Sequence, residues 1–290
     1  MLSKKKLLVS VSGGRTSALM AKLLHDRYQE KYEMIFVFAN TSREKEETLV
    51  FVANITKYWG IPITWVEAIV HHNKRKGSTY KVVNFETAKR DGSVFEEVIK
   101  KYGIPNTQFP HCTRELKTNP IRAYMKSIGW GEHKKYTTAI GYRFDEPGRV
   151  KLEKALIEKQ YYPLYEWKIA KADVLQFFKQ QPFDLGLMEH QGNCRRCYKK
   201  TDRKILTQAL EAPNDTWVED MERKYSMFTP PSRTQGHAPY YFFRENRSMA
   251  DLRLLIDEDF LKYSDTNKPN FDFELDQIEY GGCAESCEPF

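Results

Sequence analysis

From Leu7 to Val11 the chain is apolar except for Ser10; it then breaks into Ser12-Gly13-Gly14, and apolar residues resume at helical spacing from Ala18 to Tyr28. A short apolar run closed by a glycine turn reads as a buried strand, and the spacing that follows reads as an amphipathic helix. Met34 to Ala39 repeats the pattern, ending in the polar Asn40-Thr41-Ser42 before a helix predicted over Thr48–Trp59. Ile61–Glu67 gives a third strand. Strands alternating with helices in this way predict an α/β fold: a parallel twisted sheet with helices on both faces, Rossmann-like in class.

Further along, His71 to Lys81 reads as basic and irregular, Asn84 to Thr87 as a loop and Phe95 to Tyr102 as a helix. A helix is expected from Pro120 to Ile128 and a fourth strand from Tyr136 to Ile140, again ending in polar residues, Gly141 to Arg149. The aromatic stretch Tyr161–Trp167 reads as extended, Lys171–Lys179 as helical, Gln181–Asn193 as a loop and Lys199–Leu210 as helical. Beyond Pro213 two helices are expected, Thr216–Tyr225 and Met249–Phe260, followed by an acidic tail. These boundaries suggest a nucleotide-binding domain over residues 1–210 and a mainly helical C-terminal extension over 211–290.

Composition narrows the classes. With 290 residues, 41% hydrophobic and 13% aromatic, the chain has enough apolar material for a sizeable core. No apolar run approaches the roughly 20 residues of a membrane span, and the N-terminus runs straight into a strand, so a cytoplasmic protein with no membrane partner is expected. The net charge of +7 is modest and mostly interspersed, with basic clusters at Lys4–Lys6, His72–Lys76 and Lys199–Lys204. Such an excess suits an anionic ligand or nucleic acid, while short runs of this kind also serve simply as solvated faces. An odd number of cysteines, five, argues for metal or redox chemistry over a disulfide framework.

Two groups of residues carry candidate chemistry. At the first strand's end, the Gly13-Gly14 turn brings backbone amides and a helix N-terminus to one point, which favours a phosphate. Ser10, Ser12, Arg15, Thr16 and Ser17 add polar side chains, and Asn40, Thr41, Gly141, Arg143 and Arg149 follow other strand ends. The same turn also suits an ordinary strand-to-helix connection. Elsewhere, Cys194 and Cys197 have a two-residue gap, and His111-Cys112 precedes them by 82 positions. Three thiols and an imidazole are a ligand set for zinc or an iron–sulfur cluster, although a buried Cys112 and a plain dithiol fit the same letters. Cys283 and Cys287 lie on the tail, where a thiol serves as nucleophile or bystander.

In this order the motifs resemble the phosphoadenosine phosphosulfate (PAPS) reductase family of the PP-loop adenine-nucleotide hydrolase-like superfamily. Ser12 to Ser17 is similar to the PP-loop, and Asn40-Thr41-Ser42 through Glu47-Thr48-Leu49 to the second-strand motif. His111 to Lys117 is similar to the Cys-Cys-x-x-Arg-Lys region, Gly141 to Arg149 to the Gly-x-Arg-x-x-Glu segment, Pro163-Leu164 to Trp167 to the Asn-Pro-Leu-x-x-Trp pattern, and Cys194-x-x-Cys197 to the second half of the cluster motif. The resemblance covers about the first 205 residues. Thr16 stands where ATP-cleaving members have Asp, and His111 where a cluster cysteine is usual.

The resemblance implies an adenine nucleotide (PAPS, APS or ATP) on the loop, with Mg as its companion ion, beside a 4Fe-4S cluster or zinc on His111, Cys112, Cys194 and Cys197. The expected activity is reduction of an adenylylated sulfate, with Cys283 or Cys287 and Arg143 as catalytic residues and a thioredoxin-like reductant. The alternatives are ATP-dependent thiolation of nucleic acid, as in DNA-phosphorothioation sulfurtransferases, and a non-catalytic nucleotide-binding protein with structural zinc. Assembly as a homo-oligomer stays open.

Overall fold

The computed structural model describes residues 4–192, 194–231, 233, 236–242, 247–258 and 260–264. Among these described residues, six strands form one sheet: β1 Lys5–Val11, β2 Tyr32–Asn40, β3 Ile63–Ile69, β4 Thr79–Val83, β5 Thr137–Ala139 and β6 Gln160–Tyr161. Their order is β4-β3-β2-β1-β5-β6, with every pairing parallel except β3 with β4. The chain winds outward from β1 through β2 and β3, then crosses to β5 on β1's other side. A crevice therefore opens at the carboxyl ends of β1 and β5, where such sheets take ligands.

Alternation along β1 explains the layers. Leu7, Val9 and Val11 pack with α1 (Arg15–Tyr28), α2 (Glu46–Trp59) and α7 (Lys171–Phe178), while Leu8 points to the opposite face against Ile121 and Met125 of α4 (Asn119–Ser127). Both faces are covered, so the strand reads as a nearly continuous apolar run. Fully burying each such side chain contributes about 1.5–3 kcal/mol, and Leu8→Ala would open a cavity costing about 2–5 kcal/mol. Smaller helices α5 (Leu152–Glu158) and α6 (Pro163–Glu166) flank β6.

A second core forms at the carboxyl edge. Helices α3 (Ser93–Tyr102), α8 (Asp202–Glu211), α9 (Trp217–Tyr225) and α10 (Met249–Arg253) bury Val98, Ile99, Leu206, Met221 and Leu252 together with Ala68 of β3.

Three expectations from the sequence change. Within the segment read as irregular, Thr79–Val83 pairs antiparallel with β3 from Trp65↔Val83 to Ile69↔Thr79. Its alternation is weak because it is an edge strand, half-exposed on both faces. Tyr161–Trp167 is not extended: β6 stops at Tyr161 and Pro163 opens a helical turn, as a proline at the first helical position favours. The last helix ends at Arg253, far short of Phe260, leaving Leu254 83% exposed.

Candidate functional site

At the end of β1 the chain turns through Gly13 with φ +89°, a left-handed value that favours glycine. A Cβ there would lie 2.6 Å from Thr48 Cγ2 and 3.2 Å from the Phe38 ring. The turn is fastened locally: the Ser12 amide donates to Ser17 Oγ at 3.0 Å, the Ser12 and Ser17 hydroxyls pair at 2.9 Å, and Ser17 Oγ donates to the Gly14 carbonyl at 3.0 Å. Helix α1 starts with no side-chain cap and no acidic residue in its first turn. Its amides and dipole are thus suited to an anion.

The loop after β5 closes the other side. A Cβ on Gly141 would meet Ser17 Cα at 3.2 Å, so a side chain there would push the two segments apart by a few tenths of an ångström. Arg143, buried, donates from Nη1 to Thr16 Oγ1 at 3.3 Å and from Nε to Asp145 at 2.9 Å. Arg149 pairs with Glu146 at 2.7 Å and stacks on Tyr142. The hydroxyl of Thr16 is therefore an arginine acceptor in this structure.

Three other residues expected at the nucleotide are placed as follows. Asn40 is fully buried, donating to Glu67 Oε1 at 2.6 Å and to the Lys89 carbonyl at 2.8 Å. Ser10 is equally buried, with no hydrogen-bond partner for its hydroxyl. Arg15 forks onto Asp184 at 2.6 and 2.7 Å and reaches the Leu187 carbonyl at 3.1 Å. That fork holds the Asp184 carboxyl below the usual range.

The three described cysteines come together. Cys112, Cys194 and Cys197 line a single cavity along with Phe95, Tyr198, Trp217 and Phe242. Lys117, Arg195, Arg196 and Lys199 line it too. Cys112 sits where a loop enters the π-helical turn Arg114–Thr118 ahead of α4, a geometry that recurs at functional sites. Its Sγ lies 3.5 Å from the Tyr198 hydroxyl.

Thr41 joins this cavity to the sheet edge. It lines the cavity, its hydroxyl lies 3.3 Å from Cys194 Sγ, and it donates to the buried Glu44 at 2.8 Å. Arg43, one residue before Glu44, accepts the Arg195 amide on its carbonyl at 2.9 Å and pairs through its guanidinium with Asp215 at 2.9 Å. Burial lowers the Arg43 pKa despite Asp215, and its guanidinium also rests 4.5 Å from the Trp217 ring centre. The loop after β2 thus holds the CxxC segment in place.

His111 does not share the lining. Its ring packs between Tyr102 and Phe109, Nδ1 meets the Phe109 carbonyl at 3.1 Å, and Nε2 is buried without a hydrogen-bond partner. Burial, reinforced by the Arg114 charge, pushes its pKa down to about 3, so the imidazole is neutral. Among the described residues no three His, Cys, Asp or Glu side chains are drawn close enough to hold one metal ion. His190, near the CxxC, is a buried structural group bonded to Glu211 at 2.8 Å. Cys283 and Cys287 lie outside the described residues.

Trp217 and Phe242 also line the cavity and were not read as site residues in the sequence. Nothing local marks them, since each reaches the site through the second core.

Fold and site together define a doubly wound α/β protein with a glycine loop and a three-cysteine cavity on one sheet edge. No family model matches the chain. It is 31% identical over 293 residues to the uncharacterized nin region protein ORF290 of Escherichia phage lambda, covering 98% of this chain and 94% of that protein. The chain belongs to the family of that phage protein. The uncharacterized protein MJ0066 of Methanocaldococcus jannaschii is 24% identical over 123 residues, 42% of this chain and 20% of its own length. Among solved structures, the U34-tRNA thiolase NcsA from Methanococcus maripaludis with its [4Fe-4S] cluster is similar at 15% identity and a TM-score of 0.33, over 88% of this chain and 82% of that one. No described helix is long and apolar enough to cross a membrane.

Proposed function

We propose that the protein is an adenine-nucleotide-dependent sulfur-transfer enzyme that thiolates nucleic acid. The observation that carries this reading is the convergence of Cys112, Cys194 and Cys197 on one aromatic cavity, coupled through Thr41 to the edge that holds the glycine loop. Loop amides and the α1 dipole bind and orient the nucleotide's phosphates. Phe95, Trp217 and Phe242 offer flat apolar faces to a planar group, as aromatic side chains do for bases. Lys117, Arg195, Arg196 and Lys199 offset the charge of thiolates and phosphates.

Three thiols in one cavity are a donor set for an iron–sulfur cluster. A cluster held by Cys112, Cys194 and Cys197 would bind inorganic sulfide supplied from outside the protein and present it for transfer. Reduction of an adenylylated sulfate would depend instead on a nucleophilic tail thiol, Cys283 or Cys287.

The test uses anaerobically purified protein. ATP should yield pyrophosphate only with nucleic acid present, and Cys112→Ser, Cys194→Ser and Cys197→Ser should each abolish sulfur incorporation and most bound iron while ATP still binds. Sulfite released from an adenylylated sulfate, with no nucleic-acid dependence of pyrophosphate release, overturns the reading in favour of the reductase.

A further inference from the structure

The connection between β3 and β4 exposes His72, Asn73, Lys74, Arg75, Lys76 and Gly77 to solvent. Because β3 runs parallel to β1, this loop leaves the sheet at the same edge as the glycine turn. Among the described residues Lys74, Arg75 and Lys76 have no acidic side-chain partner. The neighbouring carboxylate Glu97 is already taken by His72 at 3.0 Å and Lys100 at 2.5 Å. Arg75 holds a left-handed backbone, φ +61°, unusual for a residue with a Cβ.

The loop is fixed to the turn that carries Cys112. Lys101 donates to the carbonyls of His71 and Lys76, the loop's two ends. Ser78 donates through its amide at 3.1 Å and its hydroxyl at 2.8 Å to the buried Glu115. Glu115 also takes Arg114 Nε at 2.8 Å, and that arginine side chain stays 58% exposed. Arg114 and the cavity-lining Thr113 follow Cys112 directly. The cations thus form a ridge rigidly coupled to the cavity wall, whereas a merely solvating run needs no such anchoring.

We infer that Lys74, Arg75, Lys76 and Arg114 form a docking ridge for the sugar-phosphate backbone of a nucleic-acid strand whose base enters the cysteine cavity. Evenly spaced phosphates match a row of exposed cations, and they position a strand without reading its sequence. The inference rests on the thiolation reading for what happens in the cavity; binding itself is independent of it.

The experiment measures binding of fluorescein-labelled mixed-sequence 20-mers, single-stranded DNA and single-stranded RNA, to the full chain over a range of salt. The ridge variant is Lys74→Ala/Arg75→Asn/Lys76→Ala, with Asn chosen because it tolerates φ > 0. The control, Lys31→Ala/Lys134→Ala/Lys135→Ala, removes the same charge at exposed positions near the amino ends of β2 and β5. The ridge variant should bind at least tenfold more weakly to one or both strands, and the slope of log affinity against log salt should shrink by about two to three. The control should change affinity less than threefold. Equal losses in both variants, no loss in either, or ridge-dependent binding to phosphatidylserine vesicles but not to oligonucleotides overturns the inference. Ridge-dependent binding without sulfur incorporation upholds the ridge and overturns the thiolation reading, so the two fail separately.

Discussion

The glycine loop and the cysteine cavity share one sheet edge and are built in opposite ways. The loop takes its shape from hydrogen bonds among Ser12, Gly14 and Ser17, and from a backbone angle at Gly13. The cavity gathers Thr41, Phe95, Cys112, Cys194, Trp217 and Phe242 from distant parts of the chain, and the second core and the loop after β2 bring them together. Short-range geometry therefore presets the anion site, while the cavity stays hostage to the packing and charge state of the helices around it. A substitution in the loop should act through local strain, and one behind the cavity through pH and global stability.

The sharpest contrast lies within the loop itself. Gly13→Ala forces a left-handed residue to carry a Cβ and drives that atom to 2.6 Å from Thr48. Handedness and overpacking together should cost about 3 kcal/mol, a fall in melting midpoint of roughly 6–12 °C. Gly14, at φ −99°, already has extended backbone that any residue adopts. Gly14→Ala should therefore shift the midpoint by less than about 3 °C. Thermal unfolding of the two variants decides it: equal shifts would mean that Gly13 is not the strained position.

Behind the cavity, Glu222 is buried on α9 and accepts the amides of Phe242 at 3.3 Å and Met249 at 2.9 Å, steadying a residue that lines the cavity. Burial, with Glu219 and Asp251 nearby, raises its pKa from 4.5 to about 7. Between those values the folded protein keeps a proton that the unfolded chain releases, so stability falls as pH rises from about 4.5 and levels off above about 7. The loss should reach up to ~3 kcal/mol, and Glu222→Gln should flatten that part of the profile. Denaturant unfolding at several pH values checks this; an unchanged slope in the variant means that another group titrates.

The same contrast explains what was legible beforehand. The apolar run of β1, the Gly13 turn and the α1 periodicity are adjacent in sequence, so strand, loop and helix could be read directly. The CxxC and Cys112 were legible as ligand types, but their meeting depends on Leu116, Tyr198 and Leu206 packing in one core. His111 stands apart from that lining: its ring is enclosed by Tyr102 and Phe109, which no spacing rule reveals. Asn40 was read as a ligand from its place at a strand end, yet the buried Glu67 beside it takes its amide. Strand-end position finds the sheet edge and leaves open which way a side chain turns.

Arg15 offers the finest division between the two modes of construction, because it belongs to the loop by sequence and to the segment before the CxxC by contact. Its fork onto Asp184 is only partly shielded, with that carboxylate 43% exposed, so solvent screening holds its contribution to stability to about 1 kcal/mol or less. Asp184→Asn should lower the melting midpoint by no more than roughly 4 °C. If the fork only ties residues 184–187 to the start of α1, ATP affinity should stay within threefold of the parent. If Asp184 instead competes with a phosphate for the guanidinium, freeing Arg15 should tighten ATP binding tenfold or more, and that gain should vanish in Arg15→Ala/Asp184→Asn. The second result would make Arg15 a phosphate ligand that the protein restrains until nucleotide arrives, and the loop would then be less independent of its surroundings than its backbone suggests.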